Sequence, residues 1–95
     1  MTPEGKVKAK VKKYLTEMGC YYAMPATGGY GLSGTPDFLV CYQGAFAAIE
    51  CKAGKNKPTA LQEREIAHIH RAGGSAMVVR EDGIDLLDNW FEERK

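Results

Sequence analysis

The 95 residues, 44% hydrophobic and 26% charged, are read as one domain over 1–95, able to bury about two-thirds of its unfolded surface with no room for a second core. No apolar run is long enough to span a membrane and no signal-peptide pattern opens the chain, so no membrane association is expected; the expected compartment is the cytoplasm, the host's if a phage encodes it. A formal net charge of +1 hides an uneven distribution: Lys6, Lys8, Lys10, Lys12 and Lys13 crowd one segment and Lys52, Lys55 and Lys57 another, while Asp82, Asp85, Asp88, Glu92 and Glu93 load the end. One side can meet a polyanion, although lysine runs on helices are more often plain solvated faces. The three cysteines, Cys20, Cys41 and Cys51, are an odd number without metal-ligand spacing, and are expected to be reduced and mostly buried.

Thr2-Pro3-Glu4 opens a helix, with an N-cap hydroxyl, a proline at the first helical position and an acid in the first turn. Val7, Val11, Tyr14, Leu15 and Met18 recur at helical spacing, and Gly19 ends the run. Residues 20–24 read as a short strand and 25–36 as a long loop. That loop contains Gly29-x-Gly31-x-x-Gly34, which matches the dinucleotide fingerprint by letter. The fingerprint needs a helix to open at its end, however, and here Pro36-Asp37 leads into a strand, so no nucleotide cofactor is expected. Small residues that let a backbone approach a phosphate, with the Ser33 and Thr35 hydroxyls nearby, suit contact with a nucleic-acid backbone; a plain connector suits the pattern equally.

Residues 37–42 and 45–52 are rich in β-branched, aromatic and small apolar residues, with Gln43-Gly44 between them as the only turn signal. A two-residue loop pairs Tyr42 with Ala45 and, counting back, places Asp37 opposite Glu50, where cross-strand Cβ atoms sit about 4.5–5.5 Å apart. Side chains alternate faces, so Lys52 shares the face of Glu50 and Cys51 points away. A bulge at Gly44 would slip the register by one and face Asp37 with Ile49 instead. Two opposed carboxylates repel unless a cation lies between them. The plainer reading makes Asp37 a turn residue and Glu50-x-Lys52 a solvent face. Apolar residues on both faces of the hairpin favour the functional one, an Asp, a Glu and a Lys gathered around a divalent metal and a phosphate.

Residues 53–58 form a polar loop, and Thr59-Ala60-Leu61-Gln62 reads as a capping box starting a second helix. Its apolar stripe is Leu61, Ile66, Ile69 and Ala72, and Gly73-Gly74 stops it. His68 and His70 lie on different faces, so they make no paired metal site. A fourth strand over 75–80 and a turn at 81–83 follow. Leu86, Leu87, Trp90 and Phe91 mark the apolar side of a last helix, either core or interface. The order, helix, three strands, helix, strand, helix, predicts an α/β chain with a mixed sheet flanked by helices.

In this order, with an Asp after a proline and then Glu-x-Lys, the chain resembles the restriction-endonuclease-like nucleases. Gly34-x-Pro36-Asp37, Glu50-x-Lys52 and the helix-start Gln62 resemble, within that superfamily, the VRR-NUC (virus-type replication-repair nuclease) family. The resemblance implies that Asp37 and Glu50 bind Mg²⁺ or Mn²⁺ with the backbone carbonyl of Cys51, and that Lys52 positions and activates the attacking water. It also implies that Gln62 lies near Lys52 and the metal, beside its capping role, and that Glu4 matches an acid used as a further metal ligand, beside its role as a helix-dipole acid. The implied activity is metal-dependent, structure-selective DNA cleavage by a homodimer, with branched DNA such as a Holliday junction as partner. Lys6, Lys10, Ser33, Thr35, Lys55 and Lys57 would meet the phosphates. The alternatives are a flap or duplex nuclease, or a non-catalytic DNA-binding subunit of a phage replication or repair complex.

Overall fold

The computed structural model describes residues 1–26 and 34–95; Ser33 and the loop glycines Gly28, Gly29 and Gly31 lie outside the described residues. The elements follow the expected order: α1 (Pro3–Met18), β1 (Tyr21–Ala23), β2 (Phe38–Tyr42), β3 (Ala45–Cys51), α2 (Ala60–Arg71), β4 (Ser75–Val79) and α3 (Ile84–Glu92). Helix α1 is capped as its sequence suggests. The Gly5 N–H donates to the Thr2 hydroxyl at 3.0 Å, and Gly19 closes the helix at φ 68°, a conformation that a residue without Cβ adopts at no steric cost.

The sheet runs β1-β2-β3-β4, antiparallel between β1 and β2 and between β2 and β3, and parallel between β3 and β4. The α2 crossover makes the parallel step possible. At the β2–β3 turn Gln43 and Gly44 have φ of 51° and 78°, both positive as a two-residue type I′ hairpin requires. The turn pairs Tyr42 with Ala45 and runs without slip to Phe38 opposite Ile49. Among the described residues no helix is long and apolar enough to cross a membrane.

The sheet buries one face. Val7, Val11 and Leu15 of α1 and Leu87, Trp90 and Phe91 of α3 pack with Phe38, Val40, Ala47, Ile49, Cys51 and Val79, in the 3.6- and 2-residue periods those elements impose. Phe91 lies edge-on to Tyr42 at 4.7 Å and to Trp90 at 5.0 Å between ring centroids, and the Trp90 indole N–H donates to the Ser75 hydroxyl at 3.0 Å. Of the α3 residues read as core or interface, Leu86 alone is exposed.

The opposite face is covered less completely. Helix α2 lies over it, yet none of its residues is buried, and Leu61 is 42% exposed. The expected stripe is therefore only partly inside; Ala72 is exposed, and Ile66 and Ile69 are half-buried. One short helix cannot cover four strands, and among the described residues the β1–β2 side is the less covered. There Tyr21 is 73% exposed and Cys41, expected to be buried, faces solvent.

Candidate active site

The hairpin register, continued past Phe38 and Ile49, sets Asp37 opposite Glu50 and Pro36 opposite Cys51. Strand β2 begins only at Phe38, because Pro36 has no N–H for the ladder. The Asp37 side chain takes over, its Oδ2 accepting the Cys51 N–H at 2.8 Å. The same missing N–H leaves the ladder no donor for the Cys51 carbonyl from that side, which suits that oxygen for an ion. The Cys51 thiol points the other way into the core, where burial pushes its pKa up to about 12.

Glu50 and Lys52 share the α2 face at the end of β3 and are buried, at 4% and 9% exposure, with Lys52 Nζ 4.0 Å from Glu50 Oε2. Gln62 acts twice. Its backbone N–H donates to the Thr59 hydroxyl and its Oε1 accepts the Thr59 N–H at 2.9 Å, completing the capping box; its Nε2 donates to Glu50 Oε2 at 3.0 Å. The capping and site readings of Gln62 are therefore both satisfied by one side chain. Gln62→Glu separates them. A glutamate still closes the box, but it removes the donor and sets a third carboxylate against Glu50. We expect thermal stability to fall by no more than about 1 kcal/mol and phosphodiester cleavage to fall roughly 100-fold; parallel thermal melts and cleavage rates check this.

Gly34 positions this helix start. It has φ 93°, and a Cβ there would lie 2.6 Å from both the carbonyl carbon and oxygen of Leu61 and 2.9 Å from the Gln62 nitrogen. The close backbone approach that the loop glycines suggested at a phosphate is, at Gly34, made to α2 instead.

From α1, Lys8 reaches Asp37, with Nζ 3.3 Å from Oδ1. Burial works against the Lys8 charge, but the Asp37 carboxylate outweighs it and holds the ammonium above its ordinary pKa. Glu4, one turn earlier, is half-buried, and its charge is felt at Glu50, Lys8 and Cys51. It faces the site but stands back from it: among the described residues no three His, Cys, Asp or Glu side chains are gathered into an ion cage. The donor set that fits a hard divalent ion is two carboxylates and a carbonyl, the sparse kind that leaves water in the remaining positions. Glu50 Oε1 supports that fit, being buried without a hydrogen-bond partner among the described residues, a costly state for a carboxylate oxygen.

Burial, and then the Asp37 charge, push the Glu50 carboxyl up to about 7. Folded Glu50 thus holds its proton more tightly than an unfolded glutamate. The stability this contributes is complete below about pH 4.5 and is lost as pH rises through 7, on the order of 3 kcal/mol across the window. In EDTA, the thermal midpoint should fall between pH 5 and 8 in the wild type and fall less in Glu50→Gln; equal slopes would remove Glu50 as the cause.

Of the residues expected to meet phosphates, Lys6, Lys10, Lys55 and Lys57 are exposed and Thr35 is half-buried. The loop carrying Lys55 and Lys57 is tied down by two residues that sequence reading passed over. Arg80 donates to the carbonyls of Asn56 at 2.6 Å and Gly54 at 3.2 Å, and both Glu81 carboxylate oxygens accept the Gly54 N–H at 3.0 Å. Lys10 reaches the Glu81 carbonyl at 3.3 Å, linking α1 to the same loop. Lys8 was legible only as one of a run, although its place one turn after Glu4 puts both on one side of α1.

A mixed sheet with α2 crossing from its third to its fourth strand, and an Asp, Glu and Lys at the hairpin's open end, defines the restriction-endonuclease-like fold class. A solved VRR_NUC domain is similar over 100% of both chains, with a TM-score of 0.77 and 27% identity. The Holliday junction resolvase Hjc of the archaeal hyperthermophile Archaeoglobus fulgidus matches 80% of this chain and 66% of its own, with a TM-score of 0.61 and 20% identity, and shares the fold. No family model matches the sequence, and no curated protein matches it. The chain has the fold of the VRR_NUC domain, as the motifs at Asp37, Glu50 and Lys52 suggested.

Proposed function

We propose that the chain is a metal-dependent, structure-selective DNA endonuclease that hydrolyses phosphodiester bonds in branched DNA such as Holliday junctions, acting as a homodimer. The observation that carries this is the meeting of Asp37, Glu50 and Lys52 at one buried end of the hairpin, with Glu50 Oε1 lacking a hydrogen-bond partner among the described residues. The likeness to a VRR_NUC domain and to a junction resolvase supports it.

In this reading Asp37, Glu50 and the Cys51 carbonyl hold Mg²⁺ or Mn²⁺, with Glu4 behind them. The ion would supply Lewis-acid polarisation of the phosphoryl oxygen and a water acidic enough to attack. Lys52 orients that water and faces the charge that develops on phosphorus oxygens; its low exposure strengthens the interaction, since little solvent screens it. Gln62 keeps Glu50 turned so that Oε1 stays available. Recognition comes from phosphate and shape rather than base edges. If Lys6, Lys10, Lys55 and Lys57 each neutralise one phosphate, log affinity should fall against log salt with a slope of about −4. A flat response in a fluorescence-anisotropy titration would remove these lysines from the interface.

The test is incubation with end-labelled four-way junction, flap and linear duplex of matched sequence in Mg²⁺, Mn²⁺ or EDTA. Paired symmetric cuts confined to the junction and abolished by EDTA are expected, two cuts requiring two sites related by symmetry. Equal cutting of flap or duplex would remove the junction preference. Tight junction binding without cutting in any metal would make the chain a DNA-binding subunit instead.

A further inference from the structure

We infer that Lys8 is a resident cation of the ion site: it holds Asp37 while no divalent ion is bound, and transfers to a substrate phosphate when one binds. This rests on the nuclease reading above. Its basis is the separate use of each carboxylate oxygen. Asp37 Oδ2 is committed to the Cys51 N–H at 2.8 Å and Glu50 Oε2 to Gln62 Nε2 at 3.0 Å, bonds that fix how both carboxylates face. The oxygens left for an ion are Asp37 Oδ1, which Lys8 Nζ meets at 3.3 Å, and Glu50 Oε1, which is buried and has no hydrogen-bond partner among the described residues. One of the two ion-facing oxygens is thus already occupied by a positive charge.

A divalent ion and an ammonium group cannot both sit against Asp37 Oδ1, because like charges a few ångströms apart repel strongly where solvent is partly excluded. One lysine must give way. Lys52 is fixed, its side chain 11% exposed and its backbone N–H bonded to the Val79 carbonyl at 3.0 Å. The Lys8 side chain is 37% exposed on the surface of α1, and its four-carbon stem can turn outward. Charge bookkeeping gives the direction. With all groups ionised, Glu4, Asp37 and Glu50 against Lys8 and Lys52 leave one net negative charge, which repels a phosphate. A bound divalent ion reverses the sign to one net positive charge and strips Lys8 of its carboxylate. An ammonium group has donors only, and the anion then arriving beside it is the DNA backbone. Lys8 therefore couples ion binding to substrate binding, making the site attractive to DNA only when loaded.

The test uses Lys8→Met, which keeps the stem, and Lys8→Arg, which keeps the charge, each checked for an unchanged circular dichroism spectrum. Calorimetric titration of Mn²⁺ into the metal-free protein should show about tenfold tighter binding in Lys8→Met, because the competitor is gone, and near wild-type binding in Lys8→Arg. Junction affinity with Mn²⁺ present, measured in a Lys52→Ala background so that cleavage does not intervene, should be about 3- to 10-fold weaker in Lys8→Met, with a salt slope shallower by about one. Unchanged or weaker Mn²⁺ binding in Lys8→Met overturns the resident-cation role, and unchanged junction affinity overturns the transfer. If the wild type binds Mn²⁺ and cuts DNA while Lys8→Met behaves identically, only this inference fails. If the wild type does neither, the nuclease reading fails with it.

Discussion

Lys52→Ala should lose DNA cleavage by roughly 10³-fold while binding a four-way junction with affinity close to the wild type's. The two effects separate because Lys52 is buried at the end of β3 and adds little to the exposed charge that a duplex backbone would meet. Its backbone N–H keeps the bond to the Val79 carbonyl in the variant, so the strand end stays in place. What disappears is an ammonium group beside Glu50 Oε2 that would orient water and face the developing phosphoryl charge. A second consequence runs through Glu50, whose pKa Lys52 lowers. Without that charge Glu50 keeps its proton to higher pH, so any residual cleavage should rise to its plateau later on the alkaline side than in the wild type. Cleavage at the wild-type rate would remove Lys52 from the mechanism, and weakened binding would make it a DNA contact instead.

Gly34→Ala should be the most damaging single-methyl change outside the core. The added Cβ would meet the Leu61 carbonyl and the Gln62 nitrogen at 2.6–2.9 Å, and the backbone there has φ 93°. The obstructing atoms are helix backbone, which cannot swing aside, and the conformation is itself unfavourable for a residue with a Cβ. We expect a loss of roughly 3 kcal/mol, lowering the urea midpoint by about 2 M. Cleavage should fall as well under conditions where the variant is folded, because the displaced segment is the one that aims Gln62 at Glu50. Gly44→Asn is the matched control. Gly44 also has positive φ, but among the described residues nothing lies within 4 Å of a Cβ there, and asparagine is accepted in such turns. Comparable losses in both variants would mean that left-handed backbone, rather than packing on α2, explains the Gly34 effect.

Why the hairpin and Gln62 were readable and the contacts of Lys8, Arg80 and Glu81 were not is a matter of range. Gln43-Gly44 determines a two-residue turn by local backbone preference, and a period of two then carries Asp37, Glu50 and Lys52 to one face without further information. The capping box at Thr59 and Gln62 and the stripe of Val7, Val11 and Leu15 are local in the same way. The contact between Lys8 and Asp37 spans a strand and a long loop, and no periodicity marks which lysine of a run will make it. Arg80 and Glu81 looked like the end of a strand and a turn, yet they clamp a loop more than twenty residues earlier. The covering of α2 was misjudged because an apolar stripe states what a helix can bury, not how much sheet lies beneath it; Leu61 and Cys41 are exposed for that reason. Gly34 was legible as a site of close approach but not as to its partner, since a glycine's freedom does not say what comes near.

The core and the candidate site occupy opposite faces of one sheet, and this lets the chain tolerate two nearly buried carboxylates. Phe38, Ile49 and Phe91 are fully buried on the core side and supply hydrophobic stabilisation that does not depend on the charges behind them. On the other side, repulsion between Asp37 and Glu50 is relieved by Lys8 and by a raised Glu50 pKa. Both devices are reversible.

The most direct measurement is a crystal structure of the protein soaked in Mn²⁺, with anomalous scattering recorded at the manganese edge. An anomalous peak should lie between Asp37 Oδ1 and Glu50 Oε1, at about 2.0–2.3 Å from each oxygen, with the Cys51 carbonyl as a further ligand and the Lys8 ammonium turned away. Manganese bound elsewhere, or well-ordered Asp37 and Glu50 carboxylates with no ion between them at saturating Mn²⁺, would contradict a metal-dependent nuclease centred on this pair.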